Sequence, residues 1–220
     1  PSMDDGTPAV ERLRETIRVL RGPEGCPWDR EQTLESLRPY LLEEAHEAAE
    51  AVERGDWASV AVELGDLLLH VLMWCEIGSD KGRFTLEEVA EGARGKLVRR
   101  HPHVFADKAS LGPEEVERQW EDIKRRERES KGGGGLFDSV PRSLPALQTA
   151  WRVCRRASDA GSAPLPDDSS LAREWSGFLC SPSEETLGGL LLTLSGYACG
   201  LGVEPELALR KAVNRFMEAQ

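Results

Sequence analysis

The sequence predicts an all-α protein built from tandem helical repeats, and three observations predict it. No stretch alternates polar and apolar residues convincingly with period two, so no strand is expected. Apolar residues instead recur at three- and four-residue spacing, behind helix starts such as Thr85-Leu86-Glu87-Glu88 and Ser181-Pro182-Ser183-Glu184. The second half also echoes the first: Leu64-Gly65-Asp66-Leu67-Leu68-Leu69 lines up with Leu187-Gly188-Gly189-Leu190-Leu191-Leu192.

In chain order, residues 9–21 form an amphipathic helix with Val10, Leu13, Ile17 and Leu20 at helical spacing, stopped by Gly22 and Pro23. Gly25-Cys26-Pro27-Trp28-Asp29 is an irregular segment whose Trp28 ring either packs on the bundle or stacks on a ligand's base. Thr33 caps a short turn with Leu34 and Leu37, and Pro39 suits the first position of a new helix. That helix turns Leu41, Ala45, Ala48, Ala49 and Val52 inward and stops at Gly55. Its successor runs from about Trp57 to Ile77, with Gly78 and Gly82 marking the break.

A further helix runs from the Thr85 cap to Arg100, with His101 and His103 as cap and turn residues around Pro102. Its last turns carry Lys96, Arg99 and Arg100. Basic residues there favour a helix C-terminus through its dipole; the functional alternative is that they meet phosphate groups. Pro113 opens a charged helix to about Lys131, anchored by Trp120 and Ile123. The four glycines Gly132 to Gly135 mark the most flexible point. The expected organisation is therefore a domain over 1–131, a linker over 132–140 and a second domain over 141–220. In the latter, helices are expected near 146–157, 169–180, 182–200 and 205–219.

The chemistry concentrates between Glu43 and Asp66. Arg54-Gly55-Asp56 reads as the corner of an antiparallel helix hairpin. Glu47 and Glu63 lie eight residues either side of Gly55, and Glu44 and Asp66 eleven. Folding about Gly55 sets these pairs level, and spacings of three or four keep each helix's acids on one face. At least four carboxylates should converge. Such a patch takes up protons or calls in a cation. Its hard oxygen ligands favour Mg²⁺, Mn²⁺ or Ca²⁺ over zinc. Glu63 and Asp66 also interrupt an apolar run from Val60 to Trp74, where unpaired acids are costly.

Composition narrows the partners. At 220 residues, 40% hydrophobic and 30% charged, the chain is long enough for one large or two small globular domains. A net charge of −11 argues against a nucleic-acid polymer as partner, because binding its backbone needs clustered Lys and Arg. No uninterrupted apolar run reaches membrane-span length, and Pro1 to Gly6 shows no secretory signal. Five cysteines without a Cys-x-x-Cys pair suit a reducing, cytoplasmic compartment, with Cys75, Cys180 and Cys199 expected in or near the core.

The second copy keeps fold determinants and loses the acids. Asp66 becomes Gly189, Glu63 becomes Thr186, and the preceding helix retains only Glu174. Lys211 and Arg215 match Lys96 and Arg100. This copy is expected to hold no catalytic metal.

Taken together, Gly25-Cys26-Pro27-Trp28-Asp29, Glu43-Glu44-x-x-Glu47, Glu63-x-x-Asp66 and the run Lys96-Leu97-Val98-Arg99-Arg100-His101-Pro102-His103-Val104-Phe105 resemble the MazG family of nucleoside triphosphate pyrophosphohydrolases. The likeness is close from about Glu11 to Lys131 and weaker to the end. It implies tandem MazG-like repeats with a four-helix-bundle core completed by homodimerisation. It also implies Mg²⁺-dependent hydrolysis of a nucleoside triphosphate to monophosphate and pyrophosphate, a nucleotide-pool house-cleaning activity, with Mn²⁺ able to substitute. On this expectation Glu43, Glu44, Glu47, Glu63 and Asp66 hold metal, Glu44 or Glu43 serves as general base, and Lys96, Arg99, Arg100 and Trp28 contact substrate. Rival expectations are a phosphoribosyl-ATP pyrophosphohydrolase using the same acids and a non-catalytic helical nucleotide-binding or scaffold protein whose acids only hold metal.

Overall fold

Eleven α-helices and no strand occupy the described residues of a computed structural model, which are 6–106, 110–130, 135–138 and 140–219. The helices are α1 (Ala9–Arg21), α2 (Pro27–Glu31), α3 (Leu34–Arg54), α4 (Trp57–Asp80), α5 (Leu86–Arg100), α6 (Pro102–Phe105), α7 (Pro113–Ser130), α8 (Ala146–Asp159), α9 (Asp168–Cys180), α10 (Glu184–Gly200) and α11 (Pro205–Glu218). The chain divides into two compact units, Pro1–Glu121 and Asp122–Gln220, and the division falls inside α7. Gly132, Gly133 and Gly134 of the expected linker lie outside the described residues.

The first unit is organised on α4, which packs against α1, α3 and α5. Ile17, Leu37, Leu72, Met73 and Ile77 form its buried centre, with Leu13, Leu34, Leu68, Leu69, Trp74 and Leu86 around it. Apolar spacing alone misjudged the inward face of α1. Val10 and Leu20 are exposed, while Arg14 is buried beside Ile17. The reason is an ionic network. Arg14 Nε donates to Glu76 Oε1 at 2.7 Å, Arg14 Nη1 to Glu87 Oε1 at 2.7 Å, and Arg18 Nε to Glu76 Oε2 at 3.0 Å. Paired in this way, a guanidinium and a carboxylate can be buried together.

Pro39 does not start a helix, because α3 runs through it from Leu34. Thr33 and Ser36 form a reciprocal capping box that nucleates the helix five residues earlier. Burial of Leu37 and packing of Leu34 offset the backbone hydrogen bond that proline removes. Gly78 likewise does not end α4, which continues to Asp80. Its role is clearance: a Cβ there would lie 2.5 Å from the Phe84 ring. In the segment expected to be irregular, Pro27 opens the short helix α2. Gly25 is fitted tightly to the end of α1, since a Cβ would meet the Leu20 and Val19 carbonyl oxygens at 2.2 and 2.3 Å.

The α3–α4 corner forms as its chemistry dictates. Gly55 adopts the left-handed conformation, φ +68°, and its N–H bonds back to α3. Asp56 caps α4, its Oδ1 accepting from Ser59 N. On α3, Leu37, Ala48 and Ala51 are buried; Leu41 and Ala49 are half-buried, and Ala45 and Val52 are exposed. The inward stripe is thus 37-41-44-48-51, which includes Glu44. On α4 the stripe 63-66-70-73-77 passes from Glu63 and Asp66 to buried Met73 and Ile77. The first half of α4 is less buried than its apolarity suggests: Trp57, Val62, Leu64 and Val71 are exposed. Among the described residues α4 is the one single helix that by length and composition could cross a membrane, but it carries Glu76 in the buried ion network and two further acids on its inward stripe.

In the second unit α10 packs against both α8 and α9, and α11 against α8. Leu190 and Ser195 are buried on α10, and Pro166 and Cys154 press on Gly196, where a Cβ would lie 2.8–3.0 Å away. Tyr197 Oη donates to Asp168 Oδ1, tying α10 to the start of α9. Among the expected core cysteines Cys75 is buried and Cys199 half-buried; Cys180, at the exposed end of α9, is exposed.

Candidate functional site

Glu44, Glu63 and Asp66 each offer a carboxylate oxygen, and the three oxygens lie within 4.8 Å of one another between α3 and α4. All three residues are half-buried. They continue the apolar seam of the hairpin toward its tip, so they share the low-dielectric edge of the core. Burial pushes the Glu44 carboxyl above its ordinary value. The charges of Asp66, Glu47, Glu63 and Glu43, in that order, push it further.

Glu43 and Glu47 therefore lie close enough for Glu44 to feel their charge, but both are exposed and stand outside the tight group. Lys96, Arg99 and Arg100 occupy the last two turns of α5, which packs on α4. Lys96 and Arg99 are exposed and Arg100 half-buried. Nothing in the carboxylate group itself includes them. Trp28 lies on α2 and is 55% exposed, so part of its surface stays open to solvent. His101 caps the turn after α5, while His103 lies within α6 and reaches α7. His101 Nδ1 lies 2.6 Å from the Leu97 carbonyl oxygen and His103 Nδ1 3.0 Å from Gln119 Oε1.

Two residues beside the carboxylates were not foreseen. His70 lies four residues after Asp66 on the same stripe, with Nε2 3.8 Å from Glu44 Oε1. The Tyr40 ring stacks on His70, with centroids 6.1 Å apart and planes at 10°. The same counting about Gly55 would have found them, since they lie fifteen residues either side of it. The register of the hairpin is thus visible in a ring pair as well as in the acids.

In the second unit α10 packs against α9. A Cβ built on Gly189 of α10 would lie 3.2 Å from Glu174 Oε2 of α9, so Glu174 and Gly189 face each other. Among the described residues, the one group of three or more metal-capable side chains is in the first unit.

An ion-free site of this kind has a signed pH signature. Glu44 holds its proton more tightly folded than unfolded, so the folded chain binds the extra proton between the ordinary carboxylate range and the raised value. Stability contributed at Glu44 therefore falls as pH rises through that window. In chelator, the urea-unfolding free energy of Glu44→Gln relative to the parent is expected to increase from about pH 4 to about pH 7.

The sequence around this site matches known proteins. The model of the MazG nucleotide pyrophosphohydrolase domain matches residues 32–105, which contain all five acids, His70 and the basic end of α5. A nucleoside triphosphate pyrophosphohydrolase of Escherichia coli K12 is 37% identical over 94% of this chain and 84% of its own length. The nucleoside triphosphate pyrophosphohydrolase/pyrophosphatase MazG of Thermotoga maritima is 39% identical over 94% of this chain and 82% of its own. A solved structure of a mazG-related protein from Thermotoga maritima, 33% identical, covers 52% of this chain and 98% of its own with a TM-score of 0.46. With its carboxylate hairpin inside the matched domain and relatives aligned over most of both chains, the protein belongs to the MazG family of nucleotide pyrophosphohydrolases.

Proposed function

We propose that this chain hydrolyses nucleoside triphosphates to nucleoside monophosphate and pyrophosphate in a Mg²⁺-dependent reaction on the α3–α4 hairpin, as a house-cleaning activity on the nucleotide pool. The observation that carries this is the convergence of Glu44, Glu63 and Asp66 from two helices. Three carboxylates and no sulfur donor form a set of hard ligands that fits Mg²⁺, and Mn²⁺ in its place. Glu44, Glu63 and Asp66 would hold the ion, with Glu47 and Glu43 beside them. When bound, Mg²⁺ supplies charge neutralisation for the polyphosphate and acidifies water.

The chain's own groups do the rest. Glu44, half-buried and reluctant to stay ionised, is suited to accept a proton from the attacking water, with Glu43 the alternative base. Attack at the α-phosphorus releases pyrophosphate. Lys96, Arg99 and Arg100 neutralise the outer phosphates. The exposed Trp28 ring offers a face for the base. Exposed apolar residues on both hairpin helices, Leu42 and Val52 on α3 and Val62, Leu64 and Val71 on α4, support a homodimer that completes a four-helix bundle. The acidic charge supports a small nucleotide rather than a nucleic-acid polymer as partner, and the free cysteines a cytoplasmic location.

Phosphorus NMR of a nucleoside triphosphate incubated with the chain and Mg²⁺ tests the reaction. Monophosphate plus pyrophosphate is expected. Diphosphate plus phosphate would contradict the position of attack, and no turnover across a ribo- and deoxynucleotide panel would contradict the activity.

A further inference from the structure

We propose that His70 is a positioning residue for Glu44: its imidazole fixes which way the Glu44 carboxylate faces within the acidic group. The proposal rests on the hydrolytic reading of that group. Four observations converge on it. His70 Nε2 lies 3.8 Å from Glu44 Oε1, and the two side chains are only 13% and 19% exposed. The near-parallel Tyr40 ring stacks on the imidazole. His70 Nδ1 is buried and has no hydrogen-bond partner. Finally, His70 touches Glu44 yet stands outside the set of mutually close ligand atoms formed by Glu44, Glu63 and Asp66. It therefore sits beside one carboxylate rather than among the three.

The tautomer follows from this arrangement. A neutral imidazole carries one N–H, and a buried N–H without an acceptor is costly. Nδ1 has no acceptor, whereas Nε2 faces a carboxylate, so the proton is assigned to Nε2. The 3.8 Å separation exceeds hydrogen-bond length. Contacts of this type are often long in the ligand-free protein and tighten when substrate is bound. Of the two glutamates in line to act as base, Glu44 is the one that His70 faces. Exposed Glu43 is not part of this contact. The ring thereby restricts the rotamers of one acid in a group whose members otherwise repel one another, which is the role of an outer partner to a metal-binding or proton-accepting carboxylate.

The test compares His70→Leu, His70→Gln and Asp66→Asn with the parent chain. It reads kcat, KM and the half-saturating Mg²⁺ concentration on the most rapidly hydrolysed nucleoside triphosphate of a panel. Leucine removes the N–H, while glutamine presents an amide N–H near the position of Nε2. His70→Leu is expected to lose roughly 10–100-fold in kcat. Its KM and half-saturating Mg²⁺ are expected to change by less than about threefold, and His70→Gln to recover most of the loss. A leucine variant with the parent's kcat overturns the proposal. So does a loss that excess Mg²⁺ restores, which would make His70 a metal ligand, or a glutamine variant as impaired as the leucine one, which would make the ring a space-filler. If His70→Leu does not fold, Tyr40→Ala frees the ring without removing it. That variant is expected to lower kcat at constant KM, and an unchanged kcat overturns the proposal. Asp66→Asn separates the two levels. Parent-like activity in that variant removes the hydrolytic reading of the group and the proposal with it, whereas an inactive Asp66→Asn beside a fully active His70→Leu removes only the proposal.

Discussion

Asp66→Asn and Glu44→Gln are each expected to lower turnover by at least about 100–1000-fold while leaving helical content unchanged. Both substitutions keep the shape of the side chain and delete one negative charge. Both residues belong to the group of three whose oxygens lie within 4.8 Å of one another, so losing either leaves a two-carboxylate remnant for the cation. A structural explanation for lost activity predicts the opposite sign for stability. Glu44 is pushed above its ordinary value by burial and by its acidic neighbours, so the ion-free parent carries repulsion that the amide relieves. Circular dichroism and thermal unfolding in chelator check this part: the inactive Glu44→Gln chain is expected to be at least as stable as the parent. An inactive variant that is also unfolded would point to a packing role instead.

The second large effect lies outside the acidic group, at the buried junction of α1, α4 and α5. Glu76→Leu is expected to destabilise the first unit by about 3–5 kcal/mol, because it leaves the Arg14 guanidinium without its buried partner. The Arg14 and Glu76 side chains are 9% and 8% exposed, and their contact is 2.7 Å. The hydrogen bond from Arg14 to Glu76 is the largest influence holding Arg14 in its charged form. Glu87 is a poorer partner than Glu76, because its side chain is 66% exposed and it contacts Nη1, leaving Nε to Glu76. Arg14→Met combined with Glu76→Leu replaces the pair by apolar groups of similar size and is expected to recover most of the loss. Urea unfolding of the two single variants and the double variant checks this. Equal and additive losses would show that Arg14 and Glu76 act independently.

The hairpin was legible because its determinants are local. A glycine able to adopt φ +68°, an aspartate able to cap the next helix, and acids at matched distances on either side fix both corner and register. The Tyr40–His70 stack obeys the same register, but neither residue belongs to the acid pattern, so matching carboxylates about Gly55 does not reach it. Other features depend on tertiary contacts that no spacing encodes. Arg14 sits on the inward face of α1 because Glu76 waits on α4, sixty-two residues away. Gly78 reads as a helix stop in sequence and works as clearance for Phe84. Pro39 reads as a helix start, yet the Thr33–Ser36 capping box has already begun the helix. The exposed apolar half of α4 has a related cause. Its sequence reads as buried all round, and a single chain covers only part of it.

Direct ion binding tests the central claim most simply. Isothermal titration of Mn²⁺ or Mg²⁺ into the parent chain is expected to show saturable binding that Asp66→Asn and Glu44→Gln each abolish or weaken severely. Unchanged affinity in both variants would place the divalent ion elsewhere and contradict the assignment of the α3–α4 carboxylates as its site.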